Sequence, residues 1–291
     1  MASTDSCTQV SSGPNESHIP QVDHRDFHNA DPKLIEKEFC FFLKTVQSSV
    51  FRTLIDAMKE IVADTNIIFD ERGVMVKAID DSQHAMLHLR LEADKFEEYI
   101  CSGTYVCGVA LINLHKLLKT MGTTDVLMIY QRRGEQNTLS IRVENNNKAK
   151  TATYRLFLLD LQKAHITSTT PEFKHAISIE STEFHKIVRE MKDISTHMEI
   201  QCHEQTIRFL SVKGSFAEAA VHLGVDKNVR NASSLQLVQG IFDLRYLCMI
   251  TKCTPLCRKV NLFMKNDYPL IIQYDVSNIG TIQLVLMMSD I

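Results

Sequence analysis

Residues 51–61 read FRTLIDAMKEI, and residues 184–194 read FHKIVREMKDI, so the chain resembles itself at an offset of 133 residues. The same offset superposes the apolar runs that follow each of these segments. Further along, the block LINLHKL at 111–117 corresponds to IFDLRYL at 241–247, at an offset of 130. A repeat maintained over a helix and two strands indicates two similar domains rather than one continuous fold.

The repeat and the local composition divide the chain into four segments. We predict a disordered, polar N-terminal tail at 1–33, a first domain at 39–160, a connector at 161–174 and a second domain at 175–291. No run approaches the ~18 consecutive apolar residues of a membrane span, and no signal-peptide stretch is present. We therefore expect a soluble, intracellular protein.

Within each half the hydrophobic period changes between that of a helix and that of a strand. Residues 48–63 place their apolar side chains on one face of a helix, whereas 86–91 alternate apolar and polar side chains as a half-buried strand does. Both halves follow the order helix, strands, helix, strands. This order predicts an α+β fold in which the helices pack on one side of antiparallel sheets. The predicted helices are 48–63, 113–121, 182–193 and 244–251; the predicted strands are 86–91, 126–130, 138–143, 151–158, 198–202, 207–212, 217–223, 260–264, 270–274 and 281–286.

The charge of the whole chain gives no support to nucleic-acid binding. The 291 residues include 32 Lys and Arg against 35 Asp and Glu, a formal net charge of −3.

The eight cysteines form no C-x-x-C pair and mostly lie in apolar runs, which favours buried, reduced thiols. Cys253 and Cys257 have a spacing that zinc sites use, but no second pair of ligands follows, so we predict no metal or other cofactor.

The positive charge is nevertheless concentrated on the outer faces of the four predicted helices. Surface helices often carry charged outer faces, and one such helix would mean little. Acidic residues concentrate elsewhere, at Asp70-Glu71, Asp80-Asp81 and 92–98. Four related helices with basic faces on one side of the sheets therefore predict a positive surface on a nearly neutral protein, with these acids forming the exterior. The nine residues are Arg52, Lys59, Lys116, Lys119, Lys186, Arg189, Lys192, Arg245 and Lys252.

Several short motifs are spread from about Phe39 to the C-terminus. The most specific is LRYL at 244–247, followed by TKCTPL at 251–256. The others are Phe51-x-x-Leu54 with Met58-Lys59, Gly73-Val74, Asp80-Asp81-Ser82, Phe96-x-x-Tyr99, Leu114-x-Lys116-x-Leu118-Lys119 and Leu159-Asp160-Leu161. With these motifs, the sequence resembles the proliferating cell nuclear antigen family of eukaryotic sliding clamps.

The resemblance implies the DNA-clamp fold and a homotrimeric ring that encircles duplex DNA without reading its sequence. The nine cations would then line the channel and face phosphates. Closing the ring would pair the edge strand 150–158 of one subunit with 216–223 of the next. By similarity, this interface would include Tyr154, Phe216, Ala219 and Val221. The alternative for both strands is an ordinary covered edge within a monomer.

The resemblance also implies a docking pocket for short peptides that carry a glutamine and three hydrophobic side chains. The pocket positions are Ile79, His84, Met86, Ile166, Pro269, Val285 and Met287. His84, Val285 and Met288 depart from the family, which usually has an aliphatic residue, a tyrosine and a proline there. These departures suggest a divergent paralogue or a virus-encoded clamp. The expected partners are DNA polymerases and other peptide-bearing proteins, a clamp loader, duplex DNA and further copies of the chain, with no membrane.

We find no sequence signature of an enzyme. The chain lacks a Walker A motif, a zinc-protease helix motif and a nucleophile elbow, so no catalytic residue is assigned. The resulting hypothesis is a processivity factor for DNA replication and repair, in the nucleus or in a viral replication compartment. The alternative is a checkpoint-type or monomeric scaffold of the same fold, which binds partners without encircling DNA as a homotrimer.

Overall fold

The structure is a computed structural model that describes residues 37–145, 149–162, 176–203, 206–224 and 237–289. The tail predicted at 1–33 lies outside the described residues, as does most of the predicted connector, including the pocket position Ile166. Within the described ranges there are seventeen strands and four α-helices.

The first half contains two amphipathic helices among nine strands. Helix α1 buries Phe51, Leu54 and Met58 and leaves Asp56 and Glu60 on its outward side. The helices are α1 (Ser48–Ile61) and α2 (Leu111–Leu118). The strands are β1 (Phe39–Thr45), β2 (Asp64–Asp70), β3 (Gly73–Ile79), β4 (Ala85–Glu92), β5 (Glu98–Cys101), β6 (Tyr105–Ala110), β7 (Val126–Arg132), β8 (Thr138–Asn145) and β9 (Lys150–Phe157).

The second half repeats this arrangement with eight strands and two helices. Its helices are α3 (Ser181–Ile194) and α4 (Leu244–Ile250), and a 3₁₀ turn at Thr251–Leu256 follows α4 directly. Its strands are β10 (Ala176–Glu180), β11 (His197–His203), β12 (Thr206–Val212), β13 (Ala220–Gly224), β14 (Val238–Asp243), β15 (Lys259–Phe263), β16 (Leu270–Val276) and β17 (Gly280–Leu286).

The strands form three antiparallel sheets, and one of them contains strands from both halves. Their orders are β5-β1-β7-β8-β9, β10-β15-β16-β17-β4-β3-β2-β6 and β13-β12-β11-β14. In the eight-stranded sheet β4 pairs with β17, with Leu87 opposite Leu284. Both side chains are fully buried against the helices, in a hydrophobic cluster that includes the inward faces of all three sheets. The predicted α+β fold of antiparallel sheets with packed helices is confirmed.

The helices also contact one another across the two halves. Helix α1 packs against α2 and against the 3₁₀ turn of the second half, and α3 packs against α4. Helix α1 further contacts α4. Their outward faces therefore belong to one continuous surface, which is the surface that carries the predicted cations.

The sequence periodicity missed strands that have no alternation. Strand β1 is buried at six of its seven positions, including Phe41, Phe42 and Leu43, because both of its faces are covered. An apolar run without a period of two cannot be distinguished from a buried helix segment by pattern alone. Strands β5, β6, β10 and β14 were also missed; each has only four to six residues, which leaves few positions in which to recognise a period.

One predicted strand begins later than expected. The prediction was 217–223, whereas β13 runs from Ala220 to Gly224. The backbone N–H of Ala219 donates to Ser211 Oγ at 2.8 Å instead of to a backbone carbonyl. The Ser211 side chain thus replaces one backbone acceptor between the two strands, and regular strand pairing begins at Ala220. Phe216 and Ala219 consequently lie before the strand.

A buried carboxylate connects the two halves. Tyr246 Oη of α4 donates to Asp80 Oδ2 at 2.5 Å, and Ser82 Oγ lies 2.6 Å from the same tyrosine oxygen. The backbone N–H of Ala85 donates to Asp80 Oδ1 at 2.6 Å. Burial opposes ionisation of Asp80, but these hydrogen bonds outweigh it and hold the pKa of the carboxyl below its usual value. Asp80 was grouped with the exterior acids in the sequence; it is instead buried and fixes the turn after β3 to α4.

We predict that Tyr246→Phe lowers the free energy of unfolding by about 1–3 kcal/mol near neutral pH, because the buried carboxylate loses a donor. The depressed pKa of Asp80 means that this stabilisation is present above the unfolded-state pKa and is lost as the pH falls through the folded-state pKa. The difference between variant and wild type should therefore shrink below about pH 4. Urea unfolding at a fixed protein concentration, repeated across pH, measures it.

The matched control is Tyr105→Phe, since the Tyr105 hydroxyl makes no hydrogen bond to any residue that the structure describes. This variant should stay close to wild type at every pH. A Tyr246→Phe deficit that is absent, or that does not change with pH, would contradict the role assigned to Asp80.

Candidate functional sites

The nine predicted cations all lie on the helices or at their ends. Arg52 and Lys59 are on α1, Lys116 and Lys119 at the end of α2, Lys186, Arg189 and Lys192 on α3, Arg245 on α4 and Lys252 in the 3₁₀ turn. We call this set the helix surface. Its members differ in their surroundings, and the differences divide the set into three groups.

Five of the exposed cations make no ion pair within the described ranges and are available for a ligand. They are Lys116, Lys119, Lys186, Arg189 and Lys192. Exposed ammonium and guanidinium groups of this kind can contact phosphates at the cost of little desolvation.

Two cations hold structural contacts. The half-buried Arg52 donates from Nη1 to the backbone carbonyl of Met121 at 2.7 Å, and so ties α1 to the segment after α2. Arg245 contacts Asp243 at 3.3 Å and lies over the ring of its neighbour Tyr246, 4.9 Å from the centroid. Asp243 also accepts from the backbone N–H of Arg245 at 2.7 Å and caps the N-terminus of α4.

The last two cations are paired with acids on the same surface. Lys59 Nζ lies 2.9 Å from Asp56 Oδ1 and 2.5 Å from Glu60 Oε1. Lys252 Nζ lies 2.8 Å from the same Glu60 oxygen, although it belongs to the other half of the chain. The hydrogen bonds from Lys252 and Lys59 lower the pKa of Glu60 to about 2. The prediction that acids concentrate away from the helices was therefore incomplete.

A second candidate site is on the outer face of the eight-stranded sheet. Ile79 pairs with Met86, Met86 with Val285, and Val285 with Ile271, so their side chains share the face opposite the helices. We call these four residues the outer-face row. Ile79 is 45% exposed, which is unusual for a large aliphatic side chain within a sheet. A continuous apolar row of this kind is typical of a surface that binds a protein segment.

The remaining predicted pocket residues lie beside the outer-face row. The backbone N–H of Met287 donates to the carbonyl of His84 at 2.9 Å, so these two residues are neighbours. Met287 is 48% exposed. Pro269 precedes Leu270, whose partner in the sheet is Leu286, and so it lies next to Met287. Of the seven predicted pocket positions, the six that fall in the described residues are brought together.

A polar cleft of about 360 Å³ adjoins the outer-face row. It shares His84 and Met287 with the predicted pocket. The hydrogen-bonded Ser82–Tyr246 pair lies on one side, and the Asp243–Arg245 ion pair supplies both acceptors and donors. The full lining is Ser82, His84, His197, Asp243, Arg245, Tyr246, Leu286, Met287, Met288 and Ser289. No sequence pattern indicates this cleft, because four separate segments form it.

Two sheet edges are the candidate subunit contacts. Strand β9 is at one edge of the five-stranded sheet, and β13 is at one edge of the four-stranded sheet. Tyr154 on β9 and Val221 on β13 are partly buried against the core. Phe157 and Phe216 are 79% and 76% exposed, respectively. The sequence had identified Phe216 but not Phe157, although its position at the end of an edge strand was a usable signal.

The described residues contain no cluster of three or more His, Cys, Asp or Glu side chains that could hold a metal ion. Burial raises the pKa of the Cys202 thiol and of the Cys257 thiol, which keeps both protonated at neutral pH.

No helix within the described ranges is long and apolar enough to cross a membrane.

Comparison with known proteins identifies the family. The model of the proliferating cell nuclear antigen N-terminal domain matches residues 40–165, and the model of the C-terminal domain matches residues 166–288. The "Probable DNA polymerase sliding clamp 1" of Paramecium bursaria Chlorella virus 1 is 27% identical over 250 residues, covering 84% of this chain and 95% of the relative. "Proliferating cell nuclear antigen 2" of Drosophila melanogaster is 31% identical over 242 residues, covering 82% and 94%. The chain therefore belongs to the proliferating cell nuclear antigen family of sliding clamps.

Proposed function

We propose that three copies of this chain close into a ring around duplex DNA and tether replication and repair proteins to it. The observation that carries the proposal is the helix surface. Helices from both halves contact one another, present exposed cations together, and have sheets behind them. A surface of this kind, repeated around a ring, would give a positive lining for the phosphate backbone.

Ring closure would use the two exposed sheet edges. Each copy carries one candidate edge in its first half, β9, and one in its second half, β13. Pairing β9 of one copy with β13 of the next is a head-to-tail contact, which ends only when the rotation closes. It would also cover the backbone N–H and C=O groups of both edges, which otherwise invite aggregation. Phe157 and Phe216, the most exposed aromatic side chains near these edges, would become buried.

Such a ring stays on DNA because it surrounds the duplex, and it needs no catalytic activity for this role. Encirclement prevents dissociation, so individual phosphate contacts can be weak and independent of sequence. We accordingly propose a non-enzymatic role with no catalytic residue and no cofactor, at sites of DNA replication in the nucleus or in a viral replication compartment.

Partner binding would use the outer-face row, on the side of the eight-stranded sheet away from the helices, together with the polar cleft, which extends to the N-terminal end of α4 where Arg245 lies. The outer-face row offers apolar contacts for the hydrophobic side chains of a peptide, and Met86 within it and Met287 beside it provide adaptable side chains. The polar cleft beside it has donors on Arg245 and acceptors on Asp243, which suit an amide side chain such as glutamine. We propose that DNA polymerases and a clamp loader dock here through such peptides.

Sedimentation equilibrium at micromolar concentration should give a species near three times 33.2 kDa for the wild type. Phe216→Asp should shift it towards monomer, because a carboxylate would be buried at the β13 edge. The matched control is Ile112→Asp, a similar change at an exposed apolar residue of α2, which should stay trimeric. A wild type that stays monomeric would contradict the ring and favour the checkpoint-type or monomeric scaffold.

Encirclement is tested by trapping. The protein is mixed with linear duplex carrying biotin at both ends, the ends are capped with streptavidin, and free protein is removed. The wild type should remain on the DNA and leave when a restriction enzyme cuts the duplex. Lys186→Glu with Arg189→Glu should be retained less at low salt while remaining trimeric, because two phosphate contacts become repulsive.

The control for this experiment is Arg72→Glu with Lys265→Glu, which changes the charge equally at exposed positions in turns between strands. Retention that is unaffected by cutting would rule out encirclement. Equal losses in both double variants would show that net charge, not the helix surface, governs the interaction.

Peptide docking is tested with Val285→Asp, which places a charge in the centre of the outer-face row. Calorimetric titration with a peptide containing one glutamine and three hydrophobic side chains should show a loss of affinity of about tenfold or more. Thr281→Asp, on the same face of β17 but four residues, or two strand repeats, from Val285, should bind normally. Equal affinity of Val285→Asp and wild type would place the peptide elsewhere.

A further inference from the structure

The outward side of α1 carries acids where the proposed DNA surface calls for cations. Asp56 and Glu60 are one helical turn apart and both point away from the core. They flank Lys59 and receive Lys252 from the other half of the chain. Two acids thus lie on the helix surface itself.

These four groups form one connected cluster. Glu60 contacts both lysines within 2.8 Å, and Asp56 Oδ2 lies 3.9 Å from Lys252 Nζ. His115 of α2 completes it, with Nε2 at 3.2 Å from Asp56 Oδ1. Burial, together with nearby lysines, lowers the pKa of His115 and favours its neutral form. Two lysines therefore face two carboxylates, and the cluster has no net charge.

The charged residues of helix α3, in the second half, are arranged differently. Helix α3 also carries the acids Glu183, Glu190 and Asp193. None of these acids makes an ion pair with Lys186, Arg189 or Lys192 in the part of the chain that the structure describes. The cations of α3 consequently stay exposed, whereas those of the α1 cluster are already engaged.

We propose that Asp56 and Glu60 weaken the DNA contact of this chain by holding Lys59 and Lys252 in ion pairs. Phosphate binding would then depend on the five exposed cations of α2 and α3 rather than on all nine. The inference rests on the proposed function, since it presumes that the helix surface faces DNA.

The physical effect follows from counterion release. Each lysine that neutralises a phosphate adds about 0.9 to the slope of log K against log salt on duplex DNA. A lysine bound to a carboxylate must leave that partner first, and the carboxylate itself repels the phosphate. A cluster that is neutral and joined across both halves would keep the duplex loosely held on that side, which favours sliding.

The test is a salt titration of binding to a fluorescein-labelled duplex of about 30 base pairs, followed by anisotropy from low to moderate salt. Asp56→Asn with Glu60→Gln should bind about tenfold tighter at ~100 mM salt and should raise the salt slope by about 1 to 2. The matched control is Glu71→Gln with Glu92→Gln, which removes two exposed acids from strand ends away from the helices. It should behave like wild type.

The outcomes separate this inference from the proposal beneath it. If the wild type binds no duplex even at the lowest salt, the proposed function itself fails. If the wild type binds and both double variants match each other, Asp56 and Glu60 have no special effect and the inference is overturned. Weaker binding by Asp56→Asn with Glu60→Gln would likewise overturn it. Trimer mass and urea midpoints close to wild type for both variants show that the comparison concerns DNA alone.

Discussion

The backbone pairing of β4 with β17 is the interaction on which the rest of the molecule depends. It joins strands from two halves of the chain into one eight-stranded sheet. Side chains alternate along each strand, so this one register decides both surfaces of the sheet. Leu87 and Leu284 face the helices and close the core, while Met86 and Val285 face outward and form the centre of the outer-face row. A shift by one residue would exchange the two sets.

The contact between the two halves also brings together groups that are distant in the sequence. Tyr246 reaches Asp80 of the first half, and Lys252 reaches Glu60. The first contact is buried and specific, and it fixes the turn that leads into β4. The second is exposed, where ion pairs contribute little to stability. The effect proposed for this second contact is on DNA binding, because the contact determines which cations of the helix surface are free.

The sequence predicted the elements whose signal is local. Both long helices, α1 and α3, follow from the apolar spacing at 51–61 and 184–194, and each is found within two residues of its predicted ends. Strand β1 was missed because burial on both faces removes its alternation. The six predicted pocket residues that the structure describes came from the family resemblance, and the pairing of β4 with β17 explains why they lie close together. The polar cleft could not be predicted, since it exists only where the two halves adjoin.

Charge was the property that the sequence described least well, and the reason is physical. A count of Lys, Arg, Asp and Glu cannot tell an exposed carboxylate from one that is buried or paired. Asp80, an apparent surface acid, is buried and hydrogen-bonded, whereas Asp56 and Glu60 lie among the cations that they oppose. The net charge of −3 is therefore not simply a set of basic helix faces offset by an acidic exterior. Part of the cancellation occurs within the helix surface, where the proposed function has to balance attraction for DNA against freedom to slide along it.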